Sequence, residues 1–219
     1  MKEDPISYEY QGTKFKVKMA FSKPPAAILV MIHGWTGSET STWVLTEGLS
    51  DKFTILAPRG PINASSSGFG WADITLPEEE LWKDYEASTH SLHSWLTEYL
   101  ESIHAKDIPV QLVGFSQGAM IAYYLMLFYP GKYKLAACLA GAMMPHAEQY
   151  VTPERVKDAK FYIAHGTRDK IISIQRARRA VKLLQNAGAD VTYCESDIGH
   201  KASPECYANL ISFLNSSLD

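Results

Sequence analysis

The sequence predicts a doubly wound α/β sheet, mostly parallel, with helices on both faces. Six short apolar runs, most of them rich in β-branched or aromatic residues, recur along the chain, at 26–32, 53–57, 109–114, 135–140, 160–165 and 191–194. Runs apolar on both sides fit strands buried in a central parallel sheet better than exposed antiparallel ones. Helix-period or irregular stretches separate them, which is the alternation of a wound α/β fold. No repeat, low-complexity tract or linker interrupts the pattern, so 1–219 is expected to form a single domain.

In chain order, a hairpin over 7–10 and 15–21 comes first, ahead of the first buried strand. Between Glu78 and His104, apolar side chains fall at Leu81, Tyr85, Leu92, Trp95, Leu96, Tyr99 and Ile103. Those intervals keep to one side of a 3.6-residue period, predicting a long helix packed on the sheet. The stretch 117–129 is apolar nearly all round and stops at Pro130-Gly131. Ser173 caps a helix running to Ala187-Gly188, and Ser203-Pro204 opens the last helix with a cap residue and a first-turn proline. Between 141 and 159 there is room for one short helix at most, capped by Thr152-Pro153. That leaves no large cap domain.

Composition excludes several function classes. The chain has 219 residues, enough for one domain that buries roughly 70–75% of its unfolded surface. A formal charge of -3 gives no general attraction to nucleic acid or anionic lipid. No apolar run, 26–32 among them, approaches the ~20 residues of a membrane span. Met1-Lys2-Glu3-Asp4-Pro5 carries no apolar leader, and this reads as a cytoplasmic protein. Cys138, Cys194 and Cys206 are too few and too scattered for a disulfide framework or structural zinc. Cys138 and Cys194 read as small core residues, and Cys206 has no evident partner.

The most informative residues are Gly114-Phe115-Ser116-Gln117-Gly118, which lie where a strand meets a helix. A serine in that tight turn takes up a strained backbone and projects its hydroxyl above the sheet edge. The helix that follows points its amino-terminal N–H groups at the same place, which favours developing negative charge. The competing reading is a serine that only caps the helix.

A serine hydroxyl needs a neutral imidazole to take its proton. His200, in Asp197-Ile198-Gly199-His200, follows the last strand at the same sheet end as Ser116. His90, His93 and His104 fall within the long helix and read as surface or packing residues, and His146 is a weaker candidate. His165 reads as shaping the loop that carries the acid. The base in turn needs a carboxylate to fix its tautomer. Asp169, directly after the penultimate strand, is the best candidate, with Asp197 the alternative. The order Ser116, Asp169, His200, each after a different strand, is that of hydrolases.

Attack on a carbonyl creates an oxyanion that needs fixed donors. The N–H of Gln117 supplies one by position. The N–H of Trp35, in Ile32-His33-Gly34-Trp35-Thr36-Gly37, is the second choice by position, with His33 bracing the loop.

The set His33-Gly34, Pro58-Arg59-Gly60-Pro61, Gly114-Phe115-Ser116-Gln117-Gly118, His165-Gly166-Thr167-Arg168-Asp169 and Gly199-His200 resembles the α/β-hydrolase superfamily. More narrowly, it is similar to the small phospholipase/carboxylesterase family that includes the acyl-protein thioesterases. The resemblance implies a serine esterase without cofactor or metal, with Ser116 as nucleophile, Asp169 as orienting acid and His200 as base. One departure is that Trp35-Thr36-Gly37-Ser38 stands where members often carry an aspartate shortly after His-Gly.

The irregular stretch 58–77 is long for a compact domain, and such loops are usually functional or mobile. Its Phe69 and Trp71, with Trp35, Met143 and Met144 after strand ends, read as a pocket for an acyl or alcohol group of modest size. Arg176, Arg178, Arg179 and Lys182 read as a solvated helix face. The reading that follows is a carboxylesterase for short to medium acyl esters. An acyl-thioester or lysophospholipid hydrolase is the runner-up, and a non-catalytic small-molecule-binding protein is the competing class. The expected partner is a small ester, without nucleic acid and without membrane insertion.

Overall fold

Strand alternation sorts the side chains of the central sheet onto two faces, and helices cover both. The computed structural model describes residues 5–64 and 67–218. The chain begins with a hairpin, β1 (Ile6–Tyr10) and β2 (Thr13–Lys18), followed by β3 (Ala27–Ile32) and β4 (Phe53–Pro58). Two short strands, β5 (Ile62–Asn63) and β6 (Phe69–Gly70), precede α1 (Glu78–Ser102), β7 (Val110–Phe115) and α2 (Gln117–Phe128). Then come β8 (Leu135–Leu139), α3 (Pro145–Glu148), α4 (Pro153–Val156) and β9 (Lys160–Gly166). The chain closes with α5 (Ile174–Asn186), β10 (Asp190–Ser196) and α6 (Pro204–Ser216).

Eight strands form one sheet in the order β1-β2-β4-β3-β7-β8-β9-β10. From β4 to β10 every neighbouring pair is parallel, and only the amino-terminal hairpin runs antiparallel. The six parallel strands are the six apolar runs read from sequence. In β3, Ile28, Val30 and Ile32 join the core beneath α1, α2 and α5. Ala27, Leu29 and Met31 point the other way, into the core shared with α6. That two-sided burial is why the run has no polar alternation.

Helix ends follow local chemistry. The Ser173 hydroxyl accepts from the Gln175 N–H, and the Ser203 hydroxyl accepts from the Cys206 N–H, each with non-helical backbone at the cap. Among the described residues no helix is long and apolar enough to cross a membrane.

Four expectations are corrected. The segment 141–159 holds two short helices, because Pro145 and Pro153 each start one after an extended residue. The last strand is an edge strand, with Asp190, Val191, Thr192, Tyr193, Glu195 and Ser196 all partly or fully exposed. The stretch 58–77 is not structureless: β5 and β6 pair, and Phe69 bridges to Gly37. Finally, Cys194 and Cys206 form a disulfide with Cα atoms 5.7 Å apart. Docking of α6 on the sheet brings the pair together across 12 positions of sequence. Disulfides persist mainly in oxidising compartments, so the cysteine count no longer argues for the cytoplasm. Cys138 is free and buried, as read.

Candidate active site

Ser116 sits between β7 and α2 at φ 55° and ψ -115°, a left-handed backbone that a non-glycine residue adopts only under constraint. The constraint is packing: a Cβ at Gly114 would overlap the carbonyl of Gly118, and one at Gly118 would overlap the carbonyl of Ile32. Only glycines let α2 leave the sheet this steeply. The Ser116 hydroxyl makes no cap bond to the helix, so the capping alternative does not hold.

The hydroxyl instead stands 3.0 Å from His200 Nε2. Nδ1 of the same ring lies 2.7 Å from Asp169 Oδ2. A carboxylate only accepts, so Nδ1–H donates to Asp169 and leaves Nε2 to accept from Ser116. The Asp169 side chain has no exposed surface, and His200 keeps 16% of its own. Burial pushes the Asp169 carboxyl up, but hydrogen bonds from the Ile172 N–H, His200 and the Ile171 N–H outweigh it. The carboxyl therefore lies below its ordinary range and stays charged. His165 abuts the same carboxylate at 3.3 Å and donates from Nε2 to the Ile172 carbonyl, which shapes the acid loop as expected.

The alternative acid is elsewhere. Asp197 is exposed and pairs with Arg168 at 2.8 Å. The other histidines also stay out: His146 stacks on Trp82 at 3.8 Å, while His90 and His93 bond the hydroxyls of Tyr129 and Tyr133.

The loop after β3 lies against the serine, since a Cβ at Gly34 would come within 3.2 Å of the Ser116 Cβ. His33 holds that loop. Its Nδ1–H donates to the Gly34 carbonyl at 2.7 Å, and its Nε2 accepts from the Gly60 N–H at 2.9 Å. Burial, the largest effect, lowers the pKa of His33 and favours this neutral form. Among the described residues, the Trp35 N–H donates to no protein acceptor. Gln117 is the first residue of α2, where an N–H has no intrahelical partner.

Sequence reasoning missed how the 58–71 segment is fastened. The buried Gln117 side chain accepts from the Trp71 N–H and donates to the Ala72 carbonyl, both at 2.8 Å. The Trp71 indole N–H donates to the His33 carbonyl. Arg59 grips Glu39 with two 2.6 Å bonds and lies over the Phe69 ring. The only signal for this was the Pro58-Arg59-Gly60-Pro61 motif.

The five side chains expected around a pocket divide. Trp35 and Phe69 are half-buried, whereas Trp71, Met143 and Met144 retain only 2%, 3% and 3% of their surface. Phe69 and Trp71 also line a cavity of about 310 Å³ that reaches Trp95 and Lys14 but neither Ser116 nor His200. On α5, Arg178 and Arg179 pair with Glu195 and Glu148, and Arg176 turns toward the Met144 sulfur at 3.7 Å rather than into solvent. Among the described residues, no group of three or more His, Cys, Asp or Glu is arranged to hold a metal ion.

A profile of the phospholipase/carboxylesterase family matches residues 15–218. The acyl-protein thioesterase 1 of Emericella nidulans is 26% identical, with 88% of this chain and 91% of that protein covered. The acyl-protein thioesterase 1 of Aspergillus fumigatus is 27% identical over 88% of each. Among solved structures, a carboxylesterase from Mesorhizobium loti superposes with a TM-score of 0.79 at 23% identity, covering 97% and 99% of the two chains. The match across nearly the whole chain means that it belongs to the phospholipase/carboxylesterase family, has the α/β-hydrolase fold, and is a hydrolase of the esterase type.

Proposed function

We propose that this esterase is a serine hydrolase working through an acyl-enzyme, with 1–219 acting as one catalytic domain. One observation carries the reading: His200 lies within hydrogen-bond reach of both Ser116 and Asp169. Ser116 Oγ attacks the ester carbonyl while His200 Nε2 takes its proton. Asp169 holds the ring and stabilises the imidazolium that forms. The N–H groups of Trp35 and Gln117 take the oxyanion, each worth on the order of 3–4 kcal/mol of barrier. His200 then protonates the leaving alcohol. It next deprotonates the water that releases the acid and restores Ser116.

Short to medium acyl esters are the substrates we propose, with Trp35 and Phe69 against the bound group and Trp71, Met143 and Met144 backing them. The short helices α3 and α4 are too small to form a deep lid over a long chain. Acyl-thioester hydrolysis is the second reading, favoured by the likeness to the two thioesterases. The reaction needs no cofactor. A fluorophosphonate probe tests the mechanism: it should label the protein, and Ser116→Ala should abolish both labelling and p-nitrophenyl ester turnover. Labelling that survives the substitution would overturn the assignment. An acyl series from acetate to palmitate, run as esters and thioesters, sets the substrate range.

A further inference from the structure

His200 lies midway between the two cysteines of the disulfide, which are 12 positions apart. The bond ties the end of β10 to the first turn of α6, the two elements from which the His200 loop hangs. Just inside it, the Ser196 and Ser203 hydroxyls meet at 2.6 Å, and the Ser203 hydroxyl accepts from the Cys206 N–H. The first half of the loop is laced to the acid loop by Thr167 N–H to the Ser196 carbonyl and Arg168 N–H to the Ile198 carbonyl. Across 199–202, among the described residues, the only backbone hydrogen bond is the local one from Lys201 N–H to the Gly199 carbonyl. The imidazole is thus carried by a segment whose second half is fixed chiefly at its far end.

We propose that the Cys194–Cys206 disulfide is a positioning element for His200: the oxidised chain turns over ester, and the reduced chain does so poorly. This rests on the reading of His200 as the base. Opening the ring frees the start of α6 from β10 and lets 199–202 sample more conformations. The distance from Nε2 to the serine hydroxyl then widens, and proton transfer is sensitive to that distance. Reduction by a dithiol proceeds in two steps. One thiolate of the reductant attacks a cysteine sulfur, the S–S bond breaks, and a mixed disulfide forms. The second thiolate of the reductant attacks its own bridged sulfur and expels that cysteine. Two electrons and two protons pass to the pair, leaving two cysteine thiols and an oxidised, cyclised reductant. Cys194 and Cys206 retain 9% and 2% of their surface, so the exchange needs a small reagent or local opening.

The test compares the untreated protein, the protein reduced with dithiothreitol, and a variant carrying Cys194→Ser with Cys206→Ser. After denaturation, the untreated protein should titrate one thiol, that of Cys138, and the reduced protein three. Reduction should lower kcat by about tenfold or more, leave KM within about twofold, and reverse on reoxidation. The double variant should behave as the reduced protein does and ignore dithiothreitol. The residual rate of His200→Ala should be indifferent to reduction, which a merely destabilising effect would not allow. Amide exchange, which needs no turnover, should quicken over 197–203 and leave α2 unchanged. Three thiols in the untreated protein, an unchanged kcat in a fully reduced enzyme, or unchanged exchange in the loop would each overturn the proposal. Absence of Ser116-dependent turnover in the oxidised chain defeats instead the serine-hydrolase reading, and the role given to His200 with it.

Discussion

The backbone N–H of Trp71 donates to the side-chain carbonyl of Gln117 at 2.8 Å, and this bond fastens the segment after β6 to the residue that follows Ser116. The other end of the same amide donates to the Ala72 carbonyl. One side chain therefore ties the segment after β6 to the start of α2, beside Ser116.

Gln117→Leu keeps the volume and removes both bonds, leaving the buried Trp71 N–H and Ala72 carbonyl unpaired. The expected loss is ~1–3 kcal/mol of stability, read from the denaturant midpoint. A fall in kcat should accompany it as that segment loosens. An unchanged midpoint would show that these bonds are replaced by water at no cost.

Asp169→Asn should lower kcat by about four orders of magnitude, because an amide no longer holds the tautomer with Nδ1 protonated. Asp197→Asn should leave most of the activity, since its carboxylate serves only an exposed pair with Arg168. Steady-state kinetics on both variants decide the matter. The reverse pattern would move the acid to Asp197.

His33 is neutral in the fold because burial lowers its pKa. The unfolded chain takes up a proton near the ordinary histidine value of about 6.5, while the folded chain resists it. The unfolded state then binds more protons, so the stability held above that pH declines as pH falls below it. Protonating Nε2 would also cost the bond from the Gly60 N–H. Midpoints measured at about pH 7.5 and about pH 5.5 should fall less steeply for His33→Asn than for the wild type. Equal slopes would exclude His33 as a contributor.

Two glycines separate packing from backbone preference. Gly131 has φ 76° with open space around it, so Gly131→Ala should cost only about 1–2 kcal/mol. Gly118 faces the carbonyls of Ile32 and His33, and Gly118→Ala must displace the backbone at the end of β3 and the loop that follows it. It should be the more damaging to both stability and kcat. Comparable costs would mean that the loop yields easily.

The parallel strands, the long helices and the Ser116, Asp169, His200 group were legible because each depends on local pattern: a buried run, a 3.6 period, a residue just after a strand. What was not legible depends on contacts between distant segments. The disulfide follows from where α6 docks, and nothing in the spacing of Cys194 and Cys206 encodes that. The β5 and β6 strands are only two residues each, with Phe69 bridged to Gly37 and the Trp71 N–H bonded to Gln117, so this segment reads as loop. Trp71 reads from sequence as a pocket wall, yet it is buried with its indole N–H donated to the His33 carbonyl, a contact between distant segments that no local pattern encodes. Reading 191–194 as buried on both faces misses the edge character of β10, although Asp190, Thr192 and Glu195 interrupt its apolar residues.

Whether Ser116 and His200 act as one chemical unit is read from kcat for Ser116→Ala, His200→Ala and the double variant on one p-nitrophenyl ester. Each single substitution should drop kcat to about the same residual rate, and the double variant should fall no further. Losses that multiply in the double variant, or a His200→Ala enzyme that keeps most of its rate, would contradict their action as one unit.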